Sequence, residues 1–453
     1  MNLELHPEAE KNFNSKIEKL LNCIEKKQSS KHVKNDAFIS ERVPKYSFNQ
    51  NEIISNESTI VSYRGETKSR FFKFEEEEYG LGEENYIQLV EIASAIQSLI
   101  TLREVCSIEY VQRNIFQWLA KRYCDHNFTI EYSAFLLESL NRDVIETTTW
   151  IPIANLEVET SFKIANSEIK PLSKEIIDAW CEMFDSVKTN ELAKTESVSY
   201  HVRTEFQGLA AVVNNLTAES SFVKQKSLEN AQTIVSILSI FSGAELIADI
   251  KCLTNLKGFE HQATSNMFLE FNRKQGQVFT FTSAIAEKTT ARTMRLSKRD
   301  IDEIQTIGLN KISVLLTKKQ LSPFEKQVLH SILLYAKAAF TSDPTEKIIY
   351  ILTSLESLLL KTETEPIQQN LSDRFSIFYG KDIHEKKELI KIIKEIYSIR
   401  SRYLHHGQSR SELEIISSFL WHVRLFYLRL LHFTEEYTSK EQFLTAIDDQ
   451  KYK

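Results

Sequence analysis

Glycine and proline are scarce in this chain of 453 residues, which contains 10 Gly and 7 Pro. Collagen-like, propeller and low-complexity architectures use these residues heavily, so their scarcity argues against those classes and favours long helices. Cysteine is scarce too, because the 5 Cys lie far apart and include no Cys-x-x-Cys pair. An odd number without such spacing argues against a disulfide framework, and we expect reduced thiols in a cytoplasmic protein.

Long hydrophobic runs and a strong charge of one sign are also missing. The most apolar window, residues 420–433, contains Arg424 and Arg429 and falls short of the ~18 uncharged residues that a membrane span needs. The first residues show neither the basic nor the apolar segment of a signal peptide. With 56 Lys and Arg against 62 Asp and Glu, the net charge is -6, so a nucleic acid would need a local basic patch. We expect no membrane partner.

The first part of the chain has a mixed α/β pattern. Residues 156–164 alternate apolar and polar side chains, the period of a half-buried strand, and residues 267–282 form two strand-like runs around a glycine-containing loop, as in a hairpin. Between these regions, residues 226–242 predict a helix that stops at Gly243. The chain length favours two domains, and we place a mixed α/β domain over residues 1–296.

The sequence from Ser297 onwards differs, because it repeats a helix-start signal. Residues 322–325 and 343–346 combine a capping Ser or Asp, a first-turn Pro and a Glu that can close a capping box, and weaker versions begin at Asp382 and Ser409. The predicted helices span residues 322–341, 344–361, 367–379, 383–405 and 411–433. Their short connections predict an all-α up-and-down bundle over residues 297–453, so the whole chain is expected to be α+β.

One stretch, residues 395–407, carries most of the functional information. An apolar helical pattern leads into Arg400, Ser401 and, five residues after the arginine, His405, and Gly407 predicts the helix end. On an ideal helix Arg400 and His405 would point ~140° apart. We expect either that unwinding at Gly407 frees His405 to turn toward Arg400, or that a second copy of the helix brings the two residue types into one cleft.

Arginine and histidine suit the cleavage of RNA without a metal. Attack by a 2′-hydroxyl on the adjacent phosphate needs a base that titrates near neutral pH, as histidine does. It also needs a fixed positive charge on the phosphate oxygens, as a guanidinium provides. Arg402 and His406, which are four residues apart and share a helix face, are an alternative pair. No metal-ligand spacing is visible, and we expect no cofactor.

The charge around this stretch agrees with a phosphate-binding face. Residues 381–410 contain 8 Lys and Arg against 4 Asp and Glu in an otherwise acidic chain, and Lys391, Lys394 and Arg410 are the candidates for substrate binding. A plainer interpretation exists, since an Arg-x4-His spacing arises by chance in a chain with 11 His, and histidine in a last helical turn interacts favourably with the helix dipole. Three further histidines are interpreted as surface or packing residues, namely His384, His422 and His432.

The wider C-terminal sequence resembles the HEPN superfamily. Three blocks carry the resemblance in matching order and spacing: residues 348–359 (IIYILTSLESLL), 371–375 (LSDRF) and 396–405 (IYSIRSRYLH). The Apea-like branch, found in prokaryotic anti-phage proteins, fits best, because its patterns are similar to LESLL, LSxR and YxxRSxxxHG. That branch places glycine directly after the histidine, whereas His406 stands before Gly407 in this chain.

The resemblance implies a helical bundle that dimerises and carries a composite, metal-independent ribonuclease site at the dimer interface. Arg400 would stabilise the phosphate, Ser401 would be the polar residue beside it, and His405, with His406 as the alternative, would act as base or acid. The products would carry a 2′,3′-cyclic phosphate and a 5′-hydroxyl. Cleavage would serve anti-phage defence by abortive infection, with the N-terminal region sensing a phage component or a partner protein.

Two other functions stay open. A HEPN-like bundle can be a non-catalytic dimerisation and regulatory module that neutralises a partner toxin or binds nucleotides, and the helices can form a plain scaffold. The intact Arg400 and His405 favour catalysis, because a degenerate motif would have indicated the regulatory module. Glu356 and Arg374 match family positions, and we expect them to form a structural ion pair across the bundle.

Overall fold

The chain is a mixed α+β protein that divides into two compact units in the computed structural model. The first unit comprises Met1–Thr147 and Asn215–Lys226, and the second comprises Thr148–Asn214 and Ser227–Lys453. The structure describes residues 5–27, 57–62, 65–186, 192–258, 265–272, 278–285, 294–362, 364–406 and 413–452.

The first unit packs helices against an antiparallel sheet. Its helices are α1 (Pro7–Leu21), α2 (Glu83–Gln97), α3 (Ile108–Cys124) and α4 (Tyr132–Asp143). Its strands are β1 (Glu25–Lys26), β2 (Glu57–Val61), β3 (Thr67–Phe74) and β4 (Glu77–Leu81), in the order β1-β4-β3-β2. The apolar residues Phe13, Ile17 and Leu20 of α1 recur at helical spacing and are buried in this unit's core.

The second unit begins with strands and three helices. The strands are β5 (Ile145–Ala154), β6 (Leu156–Val158), β7 (Phe162–Ile164), β8 (Ser167–Pro171), β9 (Ala210–Ala218), β10 (Asn255–Leu256), β11 (Ser265–Asn272), β12 (Val278–Ile285) and β13 (Met294–Leu296). The helices are α5 (Lys174–Ser186), α6 (Leu192–Phe206) and α7 (Ser220–Ser239). One sheet has the order β10-β5-β9-β8-β7, and β13 pairs in parallel with β6. The division between the units falls within β5, β9 and α7.

The structure confirms one β prediction and corrects another. The predicted hairpin is the antiparallel pair β11 and β12. The single strand expected over residues 156–164 is wrong, because β6 and β7 belong to different sheets. Between them, the Glu159 carboxylate accepts a hydrogen bond from the backbone N–H of Lys298, so this residue connects to the segment after β13 and not to the ladder of β8.

Helices form the rest of the second unit. They are α8 (Lys298–Ile304), α9 (Asn310–Thr317), α10 (Pro323–Lys337), α11 (Pro344–Leu359), α12 (Ile367–Tyr379), α13 (Ile383–His406), α14 (Leu413–Leu430) and α15 (Lys440–Asp449). A π-helical turn (Gln305–Leu309) joins α8 to α9, and a 3-10 turn (Ala338–Phe340) follows α10. The five helices predicted for this region correspond to α10 through α14.

Ser322 and Asp343 cap their helices as the sequence predicts, but Glu346 does not close a capping box, because its carboxylate accepts a hydrogen bond from the Thr341 hydroxyl. Ser322 and Glu325 form a reciprocal capping box at the start of α10. The Asp343 carboxylate accepts hydrogen bonds from two first-turn amides of α11, and Pro344 occupies the first turn. The weaker start at Ser409 lies outside the described residues. Because such caps satisfy amides that the helix cannot, they fix where each helix begins.

One hydrophobic core runs through the second unit. Leu296 and Ile301, on either side of the boundary expected near Ser297, belong to the same core as Ile164 in β7 and Phe426 in α14. Because this core includes residues from both sides of Ser297, it does not mark a domain boundary there, and the C-terminal domain over residues 297–453 stays a prediction. Helix α11 contacts α10, α12, α13 and α14, so its apolar residues lie at the centre of this helical region. In the described part of the chain, no helix has the length and hydropathy of a membrane span.

Candidate functional site

Helix α13 carries the predicted site residues, and its amphipathic pattern decides which of them reach solvent. Its cap is Asp382, whose carboxylate accepts hydrogen bonds from the backbone N–H groups of His384 (2.8 Å) and Glu385 (2.9 Å). The apolar residues that are buried against the neighbouring helices are Leu389, Ile392, Ile393, Ile396 and Ile399. The opposite face exposes Lys387, Lys391, Lys394, Ser398 and Ser401. The candidate substrate-binding lysines therefore lie on the solvent side.

Arg400 lies on the flank of α13 that faces α11. Its Nη1 donates a hydrogen bond to Glu356 Oε1 at 2.6 Å, and the Tyr397 hydroxyl donates to the same oxygen at 2.8 Å. The exposed fractions of the Arg400 and Glu356 side chains are 25% and 18%. Burial and the neighbouring carboxylate raise the pKa of Tyr397, so this hydroxyl stays a donor. The guanidinium is thus held in one orientation while part of it remains accessible.

The Arg400 guanidinium keeps an unsatisfied donor. Its Nε is buried and has no hydrogen-bond partner in the part of the chain that the structure describes. An unpaired buried polar group of this kind costs about 1–3 kcal/mol, and such groups are rare in native proteins. The unpaired Nε therefore lowers the stability of the folded chain.

The expected ion pair between Glu356 and Arg374 is wrong. Arg374 binds Glu365 through two N–H groups at 3.0 and 3.1 Å and binds Asp448 of α15 at 3.0 Å. It also donates to the carbonyl of Leu359 at 2.6 Å. Arg374 is therefore committed to fixing the ends of α11, α12 and α15, whereas Glu356 is free to hold Arg400. The sequence analysis did not predict α15, which supplies one of the two carboxylates.

His405 and His406 occupy the last turn of α13. Helix α13 continues through both histidines, so the unwinding that would turn His405 back toward Arg400 is not present in the backbone. Gly407, the predicted helix end, lies outside the described residues. Positions 400 and 405 are five residues apart on this helix, which places them ~140° apart around its axis. The side chains of both histidines lie outside the described part of the chain.

The remaining predicted residues have simpler surroundings. Arg402 is half-buried and takes part in an interaction, and Arg410 lies outside the described residues. His384 is exposed in the first turn of α13, as expected of a surface residue. His422 packs against the Tyr379 ring, and burial lowers its pKa. His432 lies on the surface with its Nδ1 at 2.9 Å from the Lys311 ammonium.

Tyr397 is the site residue that the sequence analysis missed. It precedes Arg400 by three residues, so the two side chains share a helix face, and its ring centroid lies 6.0 Å from the centre of the guanidinium. That spacing was visible in the sequence. The role of Tyr397 depends on Glu356, which lies on α11. Because the two residues are on different helices, their contact could not be predicted from the sequence.

Compared with known proteins, the chain matches no protein-family model, no curated protein and no solved structure. Within the described residues, no group of three or more His, Cys, Asp or Glu side chains could hold a metal ion. The resemblance to the HEPN superfamily therefore stays a prediction.

Proposed function

We propose that this chain is a metal-independent endoribonuclease of the HEPN type. The observation that carries the proposal is the hold of Glu356 and Tyr397 on Arg400, which keeps a partly exposed guanidinium beside the exposed Ser401 near the end of α13. A fixed positive charge of this kind can stabilise the charge that develops on a phosphate during cleavage. The two histidines that follow in the last turn of α13 supply the residue type that moves protons at neutral pH.

The proposed reaction is attack of an RNA 2′-hydroxyl on the adjacent phosphorus. The 2′ oxygen gives its proton to a histidine, the bond from phosphorus to the 5′ oxygen breaks, and a second histidine protonates the leaving oxygen. The products carry a 2′,3′-cyclic phosphate and a 5′-hydroxyl. Arg400 stabilises the non-bridging oxygens, and His405, with His406 as the alternative, acts as base or acid.

We propose that the active form is a homodimer. Two histidines and a guanidinium must surround one phosphate, and positions 400 and 405 of a single regular helix face different directions. A second copy of α13 would supply the missing group. The exposed Lys391 and Lys394 would bind the phosphates of the RNA strand on either side of the cut.

The cellular role follows from the same resemblance. RNA cleavage in the cytoplasm would stop translation and abort a phage infection, and the N-terminal region would bind a phage component or a partner protein that releases the activity. A non-catalytic regulatory module is the alternative, and it differs in one respect that can be measured, because it would not cut RNA.

The test compares single substitutions in the purified full chain. His405→Ala and Arg400→Ala should each lower RNA cleavage by a factor of about 100 or more, the scale of losing a general base or an electrostatic stabiliser. His384→Ala is the matched control, because it removes an exposed histidine from the other end of α13, and it should leave cleavage unchanged. His406→Ala decides the assignment. Full activity in both histidine variants would contradict the proposal.

A further inference from the structure

A cavity of about 690 Å³ lies in the second unit, away from α13. Its floor is formed by buried apolar residues that include Phe241, Leu253 and Ile304, and its wall by the loop that follows α7. The volume falls within the range of small-molecule sites, which extends from about 300 to 1,000 Å³. A mostly apolar lining with a few polar groups is also typical of such sites.

A buried ammonium group stabilises the backbone of the cavity wall. Lys347 of α11 is fully buried, and its Nζ donates hydrogen bonds to the carbonyl oxygens of Ala244 (2.7 Å), Ile247 (2.8 Å) and Ile250 (2.7 Å). All three of these residues line the cavity. The wall therefore has one fixed conformation, which lowers the entropy that a ligand would lose by ordering it.

A buried carboxylate orients the cation that faces the cavity. Glu245 is fully buried and accepts a hydrogen bond from Nη1 of Arg424, which lines the cavity with 17% of its side chain exposed. Glu245 is the ion-pair partner of Arg424. Because this partner is buried, it holds the guanidinium at the cavity wall.

These two buried charges are expensive for the fold. Each ion removed from water costs several kcal/mol before its partners compensate, and apolar residues of similar volume would pack at lower cost. Lys347 and Glu245 both act on the cavity, one through its wall and the other through Arg424. Because both buried charges stabilise its lining, we interpret the cavity as a ligand-binding site and not as a gap left by imperfect packing.

The orientation of Arg424 indicates the class of ligand. Lys251, Arg295 and Arg424 line the cavity together with Asp300 and Glu303. Asp300 is committed to the cap of α8, and Arg295 is paired with Glu157 at 2.9 Å. We propose that the cavity binds a small organic phosphate, with the phosphate against Arg424 and an apolar or aromatic body on the floor. A guanidinium fork matches the geometry of phosphate oxygens.

The experiment is calorimetric titration of the full chain with AMP, GMP, CMP, UMP and phenyl phosphate. At least one of these should bind saturably with one site per chain, and it should bind at least about tenfold more tightly than inorganic phosphate or its own dephosphorylated form. No saturable binding by any probe would overturn the proposal. Equal binding of inorganic phosphate would also overturn it, since the body would then contribute nothing.

Substitutions place the binding in this cavity. Arg424→Gln combined with Glu245→Gln removes both charges of the buried pair, so no charge is left uncompensated, and should weaken binding by about tenfold or more. Lys251→Gln removes another lining cation without changing that pair and should weaken binding about threefold. Arg299→Gln is the matched control, because Arg299 is an exposed α8 residue outside the cavity. Unchanged affinity in the double and Lys251 variants would overturn the proposal. The readout is binding, so it does not depend on ribonuclease activity.

Discussion

At the end of α13, two side chains share one carboxylate oxygen, because Arg400 and Tyr397 both donate to Glu356 Oε1. A charged acceptor strengthens both hydrogen bonds. The shared acceptor also couples the two donors, so a change at Glu356 should alter the orientation of Arg400 without touching it. This coupling makes Glu356 a positioning residue in the proposed mechanism.

We predict that Glu356→Gln lowers RNA cleavage by about tenfold while the chain stays folded, because the neutral amide holds the guanidinium less firmly. Binding of RNA should change less than the cleavage rate at saturating RNA. The control is Glu388→Gln, which removes an exposed carboxylate from α13. Cleavage by Glu356→Gln at the wild-type rate would show that Arg400 needs no such support.

The pair of buried charges near the cavity predicts a pH effect on stability. Burial raises the pKa of Glu245 to about 7, although Arg424 opposes the rise. A carboxyl group whose pKa is higher in the folded state than in the unfolded chain stabilises the fold at low pH, and that contribution is lost as the pH rises through the folded value. Burial also lowers the pKa of Lys347 to about 8. Deprotonation of Lys347 therefore raises the free energy of unfolding mainly above about pH 8, outside the range in which Glu245 titrates.

We therefore predict that Glu245→Gln flattens the pH profile of unfolding. Between about pH 5 and about pH 7.5, the free energy of unfolding of the wild type should fall relative to the variant by roughly 1–3 kcal/mol. Urea unfolding at the two pH values measures this difference. Glu303→Gln, a substitution of an exposed carboxylate at the same cavity, should follow the wild type. Parallel profiles for wild type and Glu245→Gln would contradict the account.

At the scale of elements, the helices of the C-terminal region were the most predictable part of the chain. Caps and periodic apolar residues are local signals, so α10 through α14 could be placed from the sequence, and α12 was placed at Ile367–Tyr379. The residues over 156–164 were misinterpreted because an alternating pattern shows a strand but not its partner. Their division into β6 and β7 follows from pairing, because β6 pairs with β13, which lies far along the chain, whereas β7 pairs with the adjacent β8.

The exposed face of α13 leads to a prediction about RNA binding. Lys391→Gln and Lys394→Gln should each weaken binding of single-stranded RNA by about threefold to tenfold. Binding should also depend less on salt, because a protein with one phosphate contact fewer releases fewer counterions when it binds. Lys326→Gln, at an exposed position of α10, is the matched control. Filter binding at several salt concentrations measures both quantities. An unchanged salt dependence would exclude this face as the RNA path.

At the scale of the whole molecule, the sequence was least informative where distant segments meet. The core of the second unit joins Ile164, Leu296 and Phe426, and no local pattern links them. Lys347 interrupts the apolar pattern of α11, and its burial could not be predicted, because its three carbonyl partners lie about one hundred residues earlier in the chain. For the site, the sequence indicated Arg400 and the lysines, but not the contact that holds Arg400.

The measurement that tests the central claim most directly is the chemistry of the RNA ends produced by the purified full chain in the presence of EDTA. The account predicts that cutting continues, that the new ends carry a 2′,3′-cyclic phosphate and a 5′-hydroxyl, and that Arg400→Ala abolishes them. Loss of cutting on chelation, or products with 3′-hydroxyl and 5′-phosphate ends, would contradict the proposed attack by the 2′-hydroxyl.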